Sequence, residues 1–155
     1  GRHCDALYFV VGSNLTEHDR LRVNDQGLRL IDLHLNYTRT GIRPNLWEKI
    51  WKLLCFINRN DALLNEFDWL VKTDLDTWFS ATNFKRYTNN LQKYFQPAAA
   101  YPYYIGDTVL NQWEQSNIVY NLGGMYALSR LSIQKLAKVF ESKDFHNISW
   151  HQTEQ

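Results

Sequence analysis

Apolar positions along the chain fall into short clusters whose spacing switches between two and about 3.6 residues, and that switch marks the elements. Ala6 to Val11 is a compact apolar run closed by Gly12-Ser13-Asn14, which predicts a buried strand ending in a turn. The polar stretch from Thr16 to Gln26 predicts loop or surface. Leu28, Leu30, Leu33 and Leu35 alternate with polar residues and predict a second strand, with a slip of phase at Ile31. Leu46, Ile50, Leu53, Leu54 and Ile57 form a helical stripe, and Asn45 with Glu48 three residues later completes a capping box at its start. Phe67 to Val71 is an apolar run broken only by Asp68, and it passes straight into Lys72-Thr73-Asp74-Leu75-Asp76. That arrangement predicts a buried strand with acidic residues at its carboxyl end. A helix through Phe84, Tyr87, Leu91 and Tyr94, strands near Tyr103 to Gly106 and Ile118 to Tyr120, and a last helix through Ile133, Leu136, Ala137 and Phe140 complete the series. Strands alternating with helices predict an α/β layer fold on a parallel or mixed sheet.

The chain has no internal repeat and no Pro/Gly/Ser-rich linker, and Pro44, Pro97 and Pro102 stand at junctions, so residues 1–155 read as one domain. Hydrophobic residues make up 45% and aromatics 15%, enough for a core, which sets disorder aside. Seventeen basic against sixteen acidic side chains leave no broad positive field, so nucleic acid is not an expected partner. The longest purely apolar run, Ala6 to Val11, is far short of the roughly 20 residues of a membrane-spanning helix. Cys4 and Cys55 allow one bridge at most, and sequons at Asn14, Asn36 and Asn147 lean toward a secretory lumen.

The candidate chemistry sits at the end of the third strand. Ligands of open α/β sheets bind outside the carboxyl ends of strands. Asp74 and Asp76, one residue apart there, offer hard oxygen donors that suit Mg²⁺ or Mn²⁺ bridging phosphate oxygens. With ten aspartates in 155 residues, a lone D-x-D triplet arises by chance, so by itself it reads first as a solvated turn and second as a metal site. Lys49, near the start of a helix, offers a positive group for a diphosphate, with a solvated helix lysine as the plainer reading. Gly123-Gly124 reads either as a turn admitting a sugar close to the backbone or as a simple strand-to-helix turn. Trp47, Trp78, Tyr101, Tyr103, Trp113 and Tyr120 are candidate sugar-stacking platforms, core packing being the commoner role. The five histidines lack zinc spacing, and no serine or cysteine stands in a nucleophile elbow.

Taken together, the segments resemble a known family. Trp69-Leu70-Val71-Lys72-Thr73-Asp74-Leu75-Asp76-Thr77-Trp78 is similar to the W-F-x-K-x-D-D-D-T-Y segment of the fringe-like and core 1 β-1,3-galactosyltransferases. Gly1-Arg2-His3-Cys4 resembles the family's W-G-x-R-C lead into an apolar strand. Asn45-Leu46-Trp47-Glu48-Lys49 resembles its N-L-W-x-K helix start, Ile105-Gly106 its Y-x-G strand, and Gly123 to Ser129 its G-G-A-G-Y-x-L-S segment. The matches keep the family's order from Gly1 to about Glu141. Asp-Leu-Asp lacks the middle carboxylate of the family's motif, and Met125 stands where the family has glycine.

The resemblance implies a GT-A, Rossmann-like mixed sheet flanked by helices, of which this chain would be an incomplete central portion. It implies an inverting, Mn²⁺-dependent transferase moving a hexose of the galactose or N-acetylhexosamine type from a UDP-sugar to a glycan or glycoprotein hydroxyl in β-1,3 linkage. Asp76 would then hold the metal, Asp74 would approach the ribose or the metal's water shell, and Lys49, Gly123 and Gly124 would line the donor site. The catalytic base has no assignment here; the family's Glu-Asp segment would follow residue 155. A Golgi or ER lumen is implied, with membrane attachment only through a segment outside this chain. The alternative is a catalytically inactive relative serving as a chaperone or sugar-binding module.

Overall fold

In a computed structural model of the chain, the described residues are 6–11, 16–25, 29–33, 46–74, 76–110 and 119–142. They form five strands and five helices that make up a mixed α/β protein. The backbone separates into two compact units, Ala62–Lys135 and Arg2–Asp61 with Leu136–Gln155.

The second of these units holds the first two strands. β1 (Tyr8–Val11) and β2 (Arg29–Asp32) pair in parallel, Val10 opposite Ile31. The Leu33 N–H donates to the Val11 carbonyl and extends the ladder by one rung. Parallel neighbours need a crossover, and α1 (Glu17–Asp25) supplies it. This corrects the expectation of a loop over Thr16 to Gln26. The helix has no apolar stripe to betray it, with Leu21 exposed, and an Arg20–Asp32 ion pair ties it to β2. Of the strand expected over Leu28 to Leu35, Arg29–Asp32 is strand, and Leu28, His34 and Leu35 lie outside the described residues.

α2 (Leu46–Arg59) follows the predicted stripe, with Leu53, Leu54 and Ile57 buried and a Glu48–Lys52 pair one turn apart on its solvent side. Its proposed cap, Asn45, lies outside the described residues, as do the Gly12–Asn14 turn, the three sequons, Cys4 and the Gly1–Cys4 motif. Near the end of α2 the Arg59 Nε donates to a Glu141 carboxylate oxygen at 2.8 Å. Cys55 is a free thiol.

The first unit is built on an antiparallel sheet in the order β3 (Trp69–Thr73), β5 (Val119–Ser129), β4 (Tyr104–Leu110). β4 pairs with β5 over Tyr104–Gly106 and Thr108–Leu110, with the register shifting between Gly106 and Thr108. α3 (Asp61–Leu64) precedes β3 and buries Leu64. α4 (Ala81–Tyr94) begins at an extended Ser80, whose hydroxyl accepts from the Asn83 N–H. It lays Phe84 edge-on against Trp69, ring centroids 5.9 Å apart, and Trp69 leans in turn on Tyr103.

α5 (Arg130–Phe140) follows β5 without an intervening residue. Two clusters lock that junction. The Arg130 N–H and guanidinium reach the Asp68 carbonyl, the Phe67 carbonyl and the Asp68 carboxylate. The fully buried Ser129 hydroxyl accepts from the Tyr103 N–H at 3.0 Å and donates to the Tyr101 carbonyl at 2.9 Å. Ile133 and Ala137 are completely buried on the following turns, as the helical pattern predicts.

The glycine pair is the clearest departure. Gly123 and Gly124 lie inside β5, not in a turn between strand and helix. Next to them Met125 pairs with Thr73 of β3, while Asn121 two residues earlier pairs with Thr108 of β4. The pair falls where β5 bulges opposite Gly106–Thr108, without a register partner on β4, and on the β3 side the Gly124 carbonyl accepts from the Asp74 N–H.

Candidate functional site

The candidate site grows from the point where β3 stops. Its last rungs place Lys72 opposite Tyr126 and Thr73 opposite Met125. The Asp74 N–H then donates to the Gly124 carbonyl at 2.9 Å, one rung past the strand. From there the chain turns, and the Thr77 N–H donates back to the Asp74 carbonyl at 3.2 Å. The Thr77 hydroxyl also reaches the Gly124 carbonyl, at 3.3 Å. One backbone oxygen thus pins both ends of the Asp74–Thr77 turn.

The turn puts Asp74 and Asp76 at the surface, both exposed. The buried strand expected here is a half-buried one ending in an exposed turn. Gly124 earns its place by its carbonyl more than by its missing side chain: a Cβ there would meet only the Thr77 hydroxyl, at an ordinary 3.7 Å. The sequence reading placed Asp74 and Gly124 in one donor site, and the fold brings them together. Lys49 stands half-buried on the first turn of α2, in the other unit.

Lys72 is a member that the sequence reading left without a role. Its ammonium donates to Asp74 Oδ1 at 2.5 Å and lies 5.8 Å from the centre of the Tyr126 ring. Alternation along a strand puts residues 72 and 74 on one face, so the i, i+2 spacing carried the signal. Tyr126 in turn meets Tyr104 edge-on, with ring centroids 5.6 Å apart. Burial, chiefly, with Tyr104 and the Asp74 charge adding to it, pushes the Tyr126 phenol up to about 12. Tyr126 is therefore a neutral ring across the whole physiological range, and the Lys72 side chain lies beside it.

Of the proposed stacking platforms, Trp78 is 83% exposed, two residues beyond Asp76, and Tyr101 is also exposed. Tyr103 is core-like: half-buried, stacked on Trp69 and donating its hydroxyl to the Gln96 carbonyl. Trp113 and the side chains of Trp47 and Tyr120 lie outside the described residues. Among the described residues no three His, Cys, Asp or Glu side chains gather at one point. No helix among the described residues is long and apolar enough to cross a membrane.

Comparison of the chain with protein-family models, with curated proteins and with solved structures finds no match.

Proposed function

We propose that the chain is part of a luminal, UDP-sugar-dependent glycosyltransferase of GT-A type, transferring a hexose with inversion to a glycan or glycoprotein hydroxyl. The observation that carries this reading is the convergence of three motif segments on one sheet. The acidic segment ends β3, its turn hangs on Gly124 of the glycine segment, and Gly106 of the third segment pairs with Tyr126 of the second. Segments matched only by their order along the chain thus meet at one place.

The donor set suits a hard divalent cation. Two exposed carboxylates on a short turn provide oxygen ligands and leave room for phosphate oxygens. Mn²⁺ bound there would neutralise charge developing on the UDP leaving group. This chain's residues would do the rest: Asp76 and Asp74 hold the cation, the Gly124 carbonyl fixes the turn, and Trp78 offers a flat face to a sugar or uracil ring.

A second reading, a non-catalytic relative that binds sugar or acts as a chaperone, draws on the Lys72 ammonium seated on Asp74 and on the glycine pair held within a strand. Calorimetry of UDP with and without Mn²⁺ tests both. Metal-dependent UDP binding that disappears in Asp76→Ala is the expected result. Such binding without turnover of any UDP-sugar by a chain extended through the Glu-Asp segment selects the second reading, and absence of binding by the folded chain removes the first.

A further inference from the structure

The outer face of α4 presents one set of side chains twice. The helix turns Phe84 and Thr88 inward: Phe84 lies edge-on to Trp69, and the buried Thr88 donates its hydroxyl to the Phe84 carbonyl at 3.1 Å. Facing outward, Asn83, Arg86 and Tyr87 recur seven residues on as Asn90, Lys93 and Tyr94, and all six are exposed. Seven residues fall only about 20° short of two full turns, so both triplets lie along one strip of the helix. The helical rise sets them about 10 Å apart. Tyr87 is 52% exposed and Tyr94 72%, and the Lys93 ammonium lies 5.5 Å from the centre of the Tyr94 ring. From Thr77 to Gly106 the chain carries no acidic side chain, so Arg86 and Lys93 stand in a stretch of one sign.

Each triplet combines three recognition chemistries. The tyrosine ring offers a flat face to the C–H side of a pyranose. The asparagine amide sets donor and acceptor side by side, as sugar hydroxyls require. The cation suits a carboxylate. The two-turn step between triplets matches two pyranose rings of an extended chain, so the complementary ligand bears one carboxylate on every second sugar. A lipid surface would bring both asparagine amides against hydrocarbon without partners, and a nucleic-acid strand carries its charge on every unit. We infer that the outer face of α4 binds an acidic polysaccharide with one uronate per disaccharide, laid along the helix axis. The strip uses none of the residues of the acidic turn and needs neither metal nor nucleotide.

The test is calorimetric titration of the full chain, at physiological ionic strength, with hyaluronan disaccharide and tetrasaccharide. Chitin tetrasaccharide serves as the uncharged control and polyglutamate as the charge-only control. The hyaluronan tetrasaccharide, long enough to reach both triplets, is expected to bind at least about tenfold more tightly than the disaccharide and than either control. Tyr94→Ser is expected to weaken the tetrasaccharide about tenfold, to the level of the disaccharide. Tyr87→Ser combined with Tyr94→Ser, both at exposed positions, is expected to abolish binding with thermal unfolding unchanged. Absence of tetrasaccharide binding, equal binding of polyglutamate, or binding that survives the double substitution overturns the inference. So does binding to phosphatidylserine vesicles in place of the tetrasaccharide, which assigns the face to a membrane surface. UDP with Mn²⁺, titrated into the same double variant, reports on the acidic turn alone, so failure of either reading is seen separately from the other.

Discussion

Tyr126 shows how far one side chain's surroundings reach. Its phenol is raised to about 12, first by burial and then by Tyr104 and Asp74, so the folded state holds the proton more tightly than the unfolded chain does. The stability this gives is complete below pH 10, the ordinary tyrosine value, and is lost as pH climbs toward 12. Spectrophotometric titration should find a tyrosine ionising late, and Asp74→Asn should bring that transition down slightly, because Asp74 is the smallest of the three causes. A second residue-scale expectation concerns Cys55, whose thiol is pushed up by burial first and then by the neighbouring Glu141, with Arg59 opposing. Alkylation of the native chain near neutral pH should be slower than that of a free thiol, and Glu141→Gln should speed it. The acidic pair was legible in the sequence because an apolar run ended on it. The lysine's role was not, because spacing alone does not separate an ion pair from a solvated ammonium.

At the scale of elements, the β5–α5 junction depends on a buried hydroxyl. Ser129 Oγ satisfies the Tyr103 N–H and the Tyr101 carbonyl and also meets the Ser132 hydroxyl at 3.1 Å. Ser129→Ala leaves those groups short of partners and should cost about 1–3 kcal/mol in thermal or denaturant unfolding. Ile133→Ala, at a side chain of 0% exposure, should cost about 2–5 kcal/mol. The amphipathic helices α2 and α5 were readable because each buries one stripe, while α4 forms as expected with Tyr87 and Tyr94 of its stripe exposed. α1 escaped because its hold on the fold is an ion pair and a crossover, neither of which leaves a period in the sequence. The glycine pair misled for a related reason: local chemistry favours a turn, and non-local pairing made it strand.

For the whole molecule, alternating strand and helix patterns gave the α/β class, while the division into a parallel pair and an antiparallel trio did not show. Strand partners are chosen across long separations, and β5, the last of the described strands, is the central one of its sheet. The two sheets also differ in expected persistence. A two-stranded sheet is marginal alone, whereas three strands backed by a packed helix hold, so amide exchange should be slower in β3 and β5 than in β1 and β2. Equal protection in the two sheets would contradict that ranking. The bond from the Thr77 hydroxyl to the Gly124 carbonyl spans 47 residues, and the Asp74 N–H shares the same acceptor. Since a Cβ at Gly124 meets only an ordinary contact, Gly124→Ala leaves this acceptor in place. The Asp74 end of the acidic turn is therefore fastened main chain to main chain, beyond the reach of codon changes, whereas the Thr77 hydroxyl at the other end is a side chain that Thr77→Val would remove. Replacing the Asp74 amide with an ester by chemical ligation would remove its donor and release that end of the turn, with every side chain intact.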